Sequence, residues 1–305
     1  MRLTWRRCKS ERKKRVLFSK EKWTNEELRE LLQSDVKKDL HIHTCFSDGV
    51  LTPEAVIDRW ASEGYRLISI TDHDGIEGSL VGMDYARDKD ITLVPGIEFD
   101  SVDPLGRDLH ILGYGFDPEC PEITDALDNI LLERAARNDA MLAELNRMGY
   151  SMTLDDIMKV NDGRFIGKPT FATVMVKKGY LSSSQEAFNT VFREPSMRRI
   201  RKKTLSSEEV VDLIHKAGGL AVMAHPMEQR HLDETYNQFR ERLVIILERM
   251  LEYGIDGIEC YHPSADDVQA EALREYAVKH GLMITRGSDF HSDYLNRDFS
   301  RYHRP

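Results

Sequence analysis

The chain is poor in cysteine and spends none of its four in pairs. Cys8, Cys45, Cys120 and Cys260 lie far apart, with no CxxC among them. That spacing argues against a disulfide framework and a thiolate zinc site. It fits a reducing compartment, so cytoplasm is the expectation. Long apolar runs are also lacking. No stretch approaches the roughly 18 residues of a membrane span. The basic start MRLTWRRCKSERKKRV leads into no apolar segment of the kind a secretory signal carries. Gly-rich phosphate loops and GxSxG elbows are missing, so nothing competes as P-loop or Ser/His/Asp chemistry.

What is present is an ordinary globular composition, 41% hydrophobic and 31% charged over 305 residues. The net charge of −9 is unevenly spread. Residues 1–38 hold 13 Lys/Arg against 6 Asp/Glu, a local +7 that leaves −16 for the rest. A second basic run, REPSMRRIRKK, covers residues 193–203. Each run suits either a solvated face or a groove for a polyanion.

Residues 1–37 read as a basic appendage with one helix, which Thr24 and Glu27 start as a capping box. From residue 38 strands and helices alternate. DLHIHT is a strand. TPEAVIDRWASEGY is a helix with Thr52 as cap, Pro53 at its first position and Gly64 as its stop. LISITDHD, ITLVPGIEFDS and DLHILGYG add three strands. The stretch from 116 to 205 is helical in character, and alternation resumes over 206–305. The pattern predicts parallel β/α units: an α/β fold, one barrel in two parts (38–115 and 206–305) around a helical insertion.

Imidazoles and carboxylates gather where these strands end. In DLHIHTCFSDG, Asp39, His41 and His43 share one strand face, because side chains at i, i+2 and i+4 point the same way. Asp48 follows in the loop. The second strand ends in Asp72, His73 and Asp74, the third carries Glu98 and the fourth His110. After the insertion come His225, His262, Asp289 and His291. A lone histidine is more often a hydrogen-bonded core or surface residue, and His215, His231, His280 and His303 are read that way. Recurrence at equivalent strand ends is different, since barrel strands of this kind meet at one catalytic rim. Imidazole and carboxylate without thiolate suit Zn²⁺, Mn²⁺ or Fe²⁺, and so many donors suit two or three ions. Neighbouring divalent ions activate water and clamp the oxygens of an in-line displacement, which points to a phosphoester.

These motifs resemble those of the PHP (polymerase and histidinol phosphatase) superfamily. DLHIHTCFSDG, SITDHDG, PGIEF, HILGYGF, AHP, YHPS and GSDFH occur in family order. More narrowly, the chain looks like the branch that dephosphorylates nucleoside 3′,5′-bisphosphates and trims short RNA from its 5′ end. The resemblance implies a distorted (β/α)7 barrel and a trinuclear centre, with a bridging hydroxide as nucleophile. It implies His41, His43, Glu98 and Asp289 at a first ion, and Glu98, His110 and His225 at a second. The third would take Asp48, His73 and His291. His262 and Asp72 are expected at the catalytic step, His262 as phosphate contact or general acid and Asp72 beside the imidazoles it orients. Lys168, Thr170 and Thr173 stand where the family carries Arg, His and Arg in the insertion. Lys168, Arg134 and Arg137 are the candidate substrate-phosphate contacts. The expected partner is a phosphorylated small molecule, a nucleotide or short RNA, with no membrane and no obligate protein partner. Alternatives are a phosphatase of a small ester such as histidinol phosphate, a metal-depleted scaffold, and a barrel hydrolase cutting C–N bonds.

Overall fold

The structure, a computed structural model, describes residues 23–103, 106–160, 165–230 and 234–293. Most of the basic N-terminal run, together with His231 and His303, lies outside them. The strands are β1 (Lys38–Ile42), β2 (Leu67–Ile70), β3 (Thr92–Val102), β4 (Asp108–Tyr114), β5 (Leu205–Ser206), β6 (Leu220–Met223), β7 (Gly257–Tyr261) and β8 (Met283–Arg286). The helices are α1 (Asn25–Gln33), α2 (Pro53–Ser62), α3 (Glu77–Ala86), α4 (Pro121–Arg147), α5 (Leu154–Met158), α6 (Lys168–Lys177), α7 (Ser184–Asn189), α8 (Pro195–Arg198), α9 (Ser207–Lys216), α10 (Tyr236–Glu252) and α11 (Asp267–His280). None of the described helices is long and apolar enough to cross a membrane.

Seven strands line up as β1-β2-β3-β4-β6-β7-β8. The two ends approach through a bridge between Ile42 and Phe290, and His43 N–H donates to the Phe290 carbonyl at 2.9 Å. The sheet is thus a nearly closed barrel. Its parallel strands are buried on both faces, as LISI in β2 shows: all four residues are buried. The outer helices start where the sequence marks them. Thr52 caps α2 with Pro53 next, and Ser206 caps α9 in a capping box with Glu209.

Three features differ from the expected alternation. β3 and β4 form an antiparallel hairpin, and β4 is antiparallel to β6 as well. The linker explains this: residues 103–107 alone join β3 to β4, whereas a parallel crossover takes about a dozen. The reversal puts His110, near the start of β4, at the barrel end where the parallel strands finish. There it lies opposite Asp100. Second, an eighth strand not foreseen in the sequence, β5, pairs with the far end of β3.

Third, α1 does not hang off the barrel. Its capping box at Thr24 forms as expected, yet Leu28 and Leu32 are buried with Leu40, Leu67, Leu112, Tyr114 and Val222. These side chains come from alternate strand positions, so α1 plugs the barrel interior. Gly115 lets it approach, because a Cβ there would fall 2.3 Å from Leu28 Cδ2. The appendage reading fails for these residues because an i, i+4 leucine pair reports burial but not the surface it is buried against.

Residues Ala126–Lys203 form a separate compact helical unit. Its core holds Met141, Leu145, Phe171, Met175 and Phe192. The insertion was expected from residue 116, but the chain stays on the barrel beyond it, with Asp117 N–H donating to the Ala217 carbonyl at 2.8 Å.

Candidate metal centre

One end of the barrel gathers His41 and His43 from β1, Asp48 from the loop after it, and His73 from the end of β2. Glu98 comes from β3, His110 from β4 and His225 from the end of β6. Asp289 and His291 follow β8. Glu98 is the hub and is 1% exposed. Its Oε1 lies 2.9 Å from both His110 Nδ1 and His225 Nε2. Its Oε2 lies 3.4, 3.1 and 3.2 Å from His41 Nε2, His43 Nε2 and His73 Nδ1. One carboxylate therefore divides itself between two sets of imidazoles.

The tightest group is His41 Nε2, His43 Nε2, Glu98 Oε2 and Asp289 Oδ1. The two imidazole nitrogens are 3.1 Å apart, and Asp289 Oδ1 is 3.3 and 3.1 Å from them. Ligands at about 2.0–2.1 Å around a tetrahedral ion have edges of about 3.3 Å. The group has those edges already. A second group comprises His43, Asp48, His73 and His291, and a third His73, Glu98 and His110. His291 Nδ1 lies 2.9 Å from the Asp289 carbonyl, to which it donates, so Nε2, 3.2 Å from Asp48 Oδ1, is the nitrogen a cation would take on displacing its proton.

Several polar atoms here are buried without a hydrogen-bond partner: Glu98 Oε2, Asp48 Oδ1, His73 Nδ1 and His225 Nδ1. Buried polar atoms are nearly always paired. Lone pairs that converge on common points and leave such orphans fit divalent cations, and the oxygen and nitrogen donors suit Zn²⁺, Mn²⁺ or Fe²⁺.

The charges sustain one another. Burial raises the Glu98 carboxyl, but His73, His41 and His110 outweigh it and hold the group well below the usual range. Burial likewise opposes ionisation of Asp289, and His41, His262 and His43 overcome it. Burial disfavours charge on His41, yet Glu259, Glu98 and Asp289 raise it well above its ordinary value.

The remaining expected residues fall as follows. His262 is 2% exposed and points Nε2 at Asp289 Oδ2, 3.4 Å away. Asp72 does not reach the reacting space. Its Oδ1 accepts from Thr44 N (2.8 Å) and Ser47 Oγ (2.6 Å), and its Oδ2 from Thr44 Oγ1 (2.7 Å). All these bonds face the loop it braces, whose Ser47 Oγ lies 3.4 Å from His43 Nδ1. Asp39 points away from the ligands and holds Trp60 Nε1 and Ser288 N. Asp74 adopts a left-handed backbone (φ 48°), as do His225 (28°) and Asp289 (50°). Such strain clusters where surrounding contacts enforce a functional geometry. In the helical unit, Arg134 is mostly buried with its guanidinium over the Phe165 ring (4.5 Å). Arg137 Nη1 reaches Met141 Sδ, and Lys168 is the exposed first residue of α6. Of the histidines read as structural, His215 pairs with Asp256 and His280 stacks on Tyr276.

Two carboxylates were missed. Asp100 Oδ1 lies 3.3 Å from His73 Nδ1 and 3.5 Å from His110 Nε2. Glu259, fully buried in β7, meets His41 Nδ1. The signal for Glu259 was available in GIECY, an acid within an otherwise apolar strand.

Barrel and centre together define a metal-dependent phosphoesterase, a hydrolase of phosphoric esters. The PHP domain model matches residues 39–260, and the chain belongs to that family. It is 33% identical over 258 residues to a 3′,5′-nucleoside bisphosphate phosphatase of Chromobacterium violaceum, covering 83% of this chain and 87% of the relative. It is 28% identical over 255 residues to a 5′-3′ exoribonuclease of Haemophilus influenzae, covering 84% and 90%. The crystal structure of a proposed metal-dependent phosphoesterase from Bifidobacterium adolescentis superposes with a TM-score of 0.74 at 27% identity, covering 88% and 95%.

Proposed function

We propose that the chain hydrolyses a phosphate ester of a nucleotide, either a nucleoside 3′,5′-bisphosphate or the 5′ end of a short RNA, with two or three divalent ions. The observation that carries this is Glu98, whose oxygens face two imidazole sets 2.9–3.4 Å away. A carboxylate so divided suits adjacent cations. His41, His43 and Asp289 would share one with Glu98, His110 and His225 a second, and Asp48, His73 and His291 a third. Bound there, such ions lower the pKa of water and neutralise phosphoryl oxygens.

The chain's own groups supply orientation. Ser264 N–H donates to His262 Nδ1 at 3.1 Å, so Nδ1 is the acceptor and the ring proton sits on Nε2. His262 then presents an N–H toward the centre and acts as a phosphate contact rather than as a general acid. Glu228, His262 and Asp289 also lie close enough to suggest a further cation, but a protonated Nε2 offers no lone pair to one. The nucleotide class rests on the two named relatives, each similar over more than four-fifths of this chain.

The test is a panel assayed with Mn²⁺: a nucleoside 3′,5′-bisphosphate, a 5′-phosphorylated oligoribonucleotide and histidinol phosphate. Turnover of either of the first two, well above the third, is expected. Preference for histidinol phosphate would transfer the assignment to small phosphomonoesters.

A further inference from the structure

Glu259 takes no part in the ligand groups, yet it is fully buried and sits directly behind two of their members. Its Oε1 and Oε2 lie 3.1 and 3.3 Å from His41 Nδ1. Its Oε2 also accepts the backbone N–H of His225 at 2.8 Å. That backbone is left-handed, a conformation non-glycine residues adopt only when held. The residue after β8 seals the arrangement: a Cβ on Gly287 would fall 2.1 Å from His41 Cβ and 2.4 Å from Glu259 Oε1. No water-sized gap separates these groups from the strand.

We propose that Glu259 is a positioning residue that makes His41 a ligand, by taking the His41 Nδ1 proton in a hydrogen bond while its other oxygen clamps the left-handed turn that aims His225. The chemistry follows from the inventory of donors. A carboxylate only accepts, so it selects the Nδ1–H tautomer of His41 and leaves the Nε2 lone pair facing His43, Glu98 and Asp289. Its two oxygens can meet both donors at once, whereas an amide must turn its NH₂ toward one of them. Glutamine shows why. Its NH₂ turned toward His225 N sets donor against donor. Turned toward His41, it makes Nδ1 an acceptor and moves the ring proton to Nε2, where the lone pair is needed. An isosteric change thus damages the centre without changing its volume.

This rests on the metal-centre reading but not on any particular substrate, because its readout is metal retention. The full-length protein and Glu259→Gln are loaded with Zn²⁺, challenged with a graded chelator and analysed for ions per chain. The ions served by His41 and His225 are expected to be lost at about 10–100-fold lower chelator strength. The group of Asp48, His73 and His291 should keep its ion, and the thermal midpoint of the chelated proteins should match. On whichever ester is turned over, kcat should fall with KM little changed. Wild-type retention by the variant overturns the proposal. So does release of every ion together with a lowered midpoint, which would mark a merely structural role. Should the variant fail to fold, ¹⁵N-histidine NMR of the Zn²⁺-loaded wild type decides. His41 protonated at Nδ1 supports the proposal, and His41 protonated at Nε2 overturns it.

Discussion

Asp72 and Thr44 meet through both of their polar ends. Thr44 N–H donates to one carboxylate oxygen at 2.8 Å and the Thr44 hydroxyl to the other at 2.7 Å. The first oxygen also accepts from Ser47 Oγ, which lies 3.4 Å from His43 Nδ1. The end of β2 thereby fixes the loop that carries Asp48 and steadies the second β1 histidine. Asp72→Asn replaces an acceptor with a donor among three donors. Metal affinity should fall by about 10–100-fold, measured by chelator competition. Unchanged affinity would reduce Asp72 to a turn residue.

Removing metal should abolish hydrolysis, and adding Mn²⁺ or Zn²⁺ back should restore it. Because the folded chain alone presents the assembled donors, each ion at 100 times its Kd should stabilise it by about 2.7 kcal/mol. Calorimetry with and without chelator measures this. Equal midpoints would mean that no ion binds.

Metal uptake should expel protons. Burial lowers the His291 pKa, but the adjoining Asp48 carboxylate, with Asp289, outweighs it and pushes it up to about 9. At neutral pH the metal-free ring is therefore charged, and a cation must displace its proton. Affinity should rise with pH up to about 9, about tenfold per unit for each proton displaced. Titration in two buffers of different ionisation enthalpy counts those protons. The metal-free fold should respond in the opposite sense. The stability that this raised pKa contributes is full below the unfolded value of about 6.5 and is lost as pH climbs through about 9.

Leu28→Ala should destabilise the protein although α1 precedes the first strand. The side chain is 1% exposed inside the barrel, and truncation of buried leucines costs about 2–5 kcal/mol. Urea denaturation checks this. A change under about 0.5 kcal/mol, the range of ordinary surface substitutions, would mean that the helix is dispensable.

The barrel and its ligands were legible because both depend on local pattern. HIH alternates along one strand, and histidines recur where apolar runs stop. Less local features were harder to read. The direction of β4 is decided by a five-residue linker, whose length was a usable signal against a parallel crossover. The destination of α1 and the bonds of Glu259 depend on strands more than a hundred residues apart in sequence, and periodicity carries no information about such pairings. Asp72 stands beside a ligand in DHD, but the sequence does not say which groups it holds. Its orientation is set by Thr44 and Ser47, which only the folded loop brings to it.

All nine candidate ligands, and Glu259 behind them, come from segments flanking residues 126–203. That middle portion can accumulate substitutions, lengthen or be exchanged between cousins without disturbing a single donor atom. The donor atoms and the helical unit's own core are thus inherited on separate stretches of one gene, and a change in one leaves the residues of the other as they were.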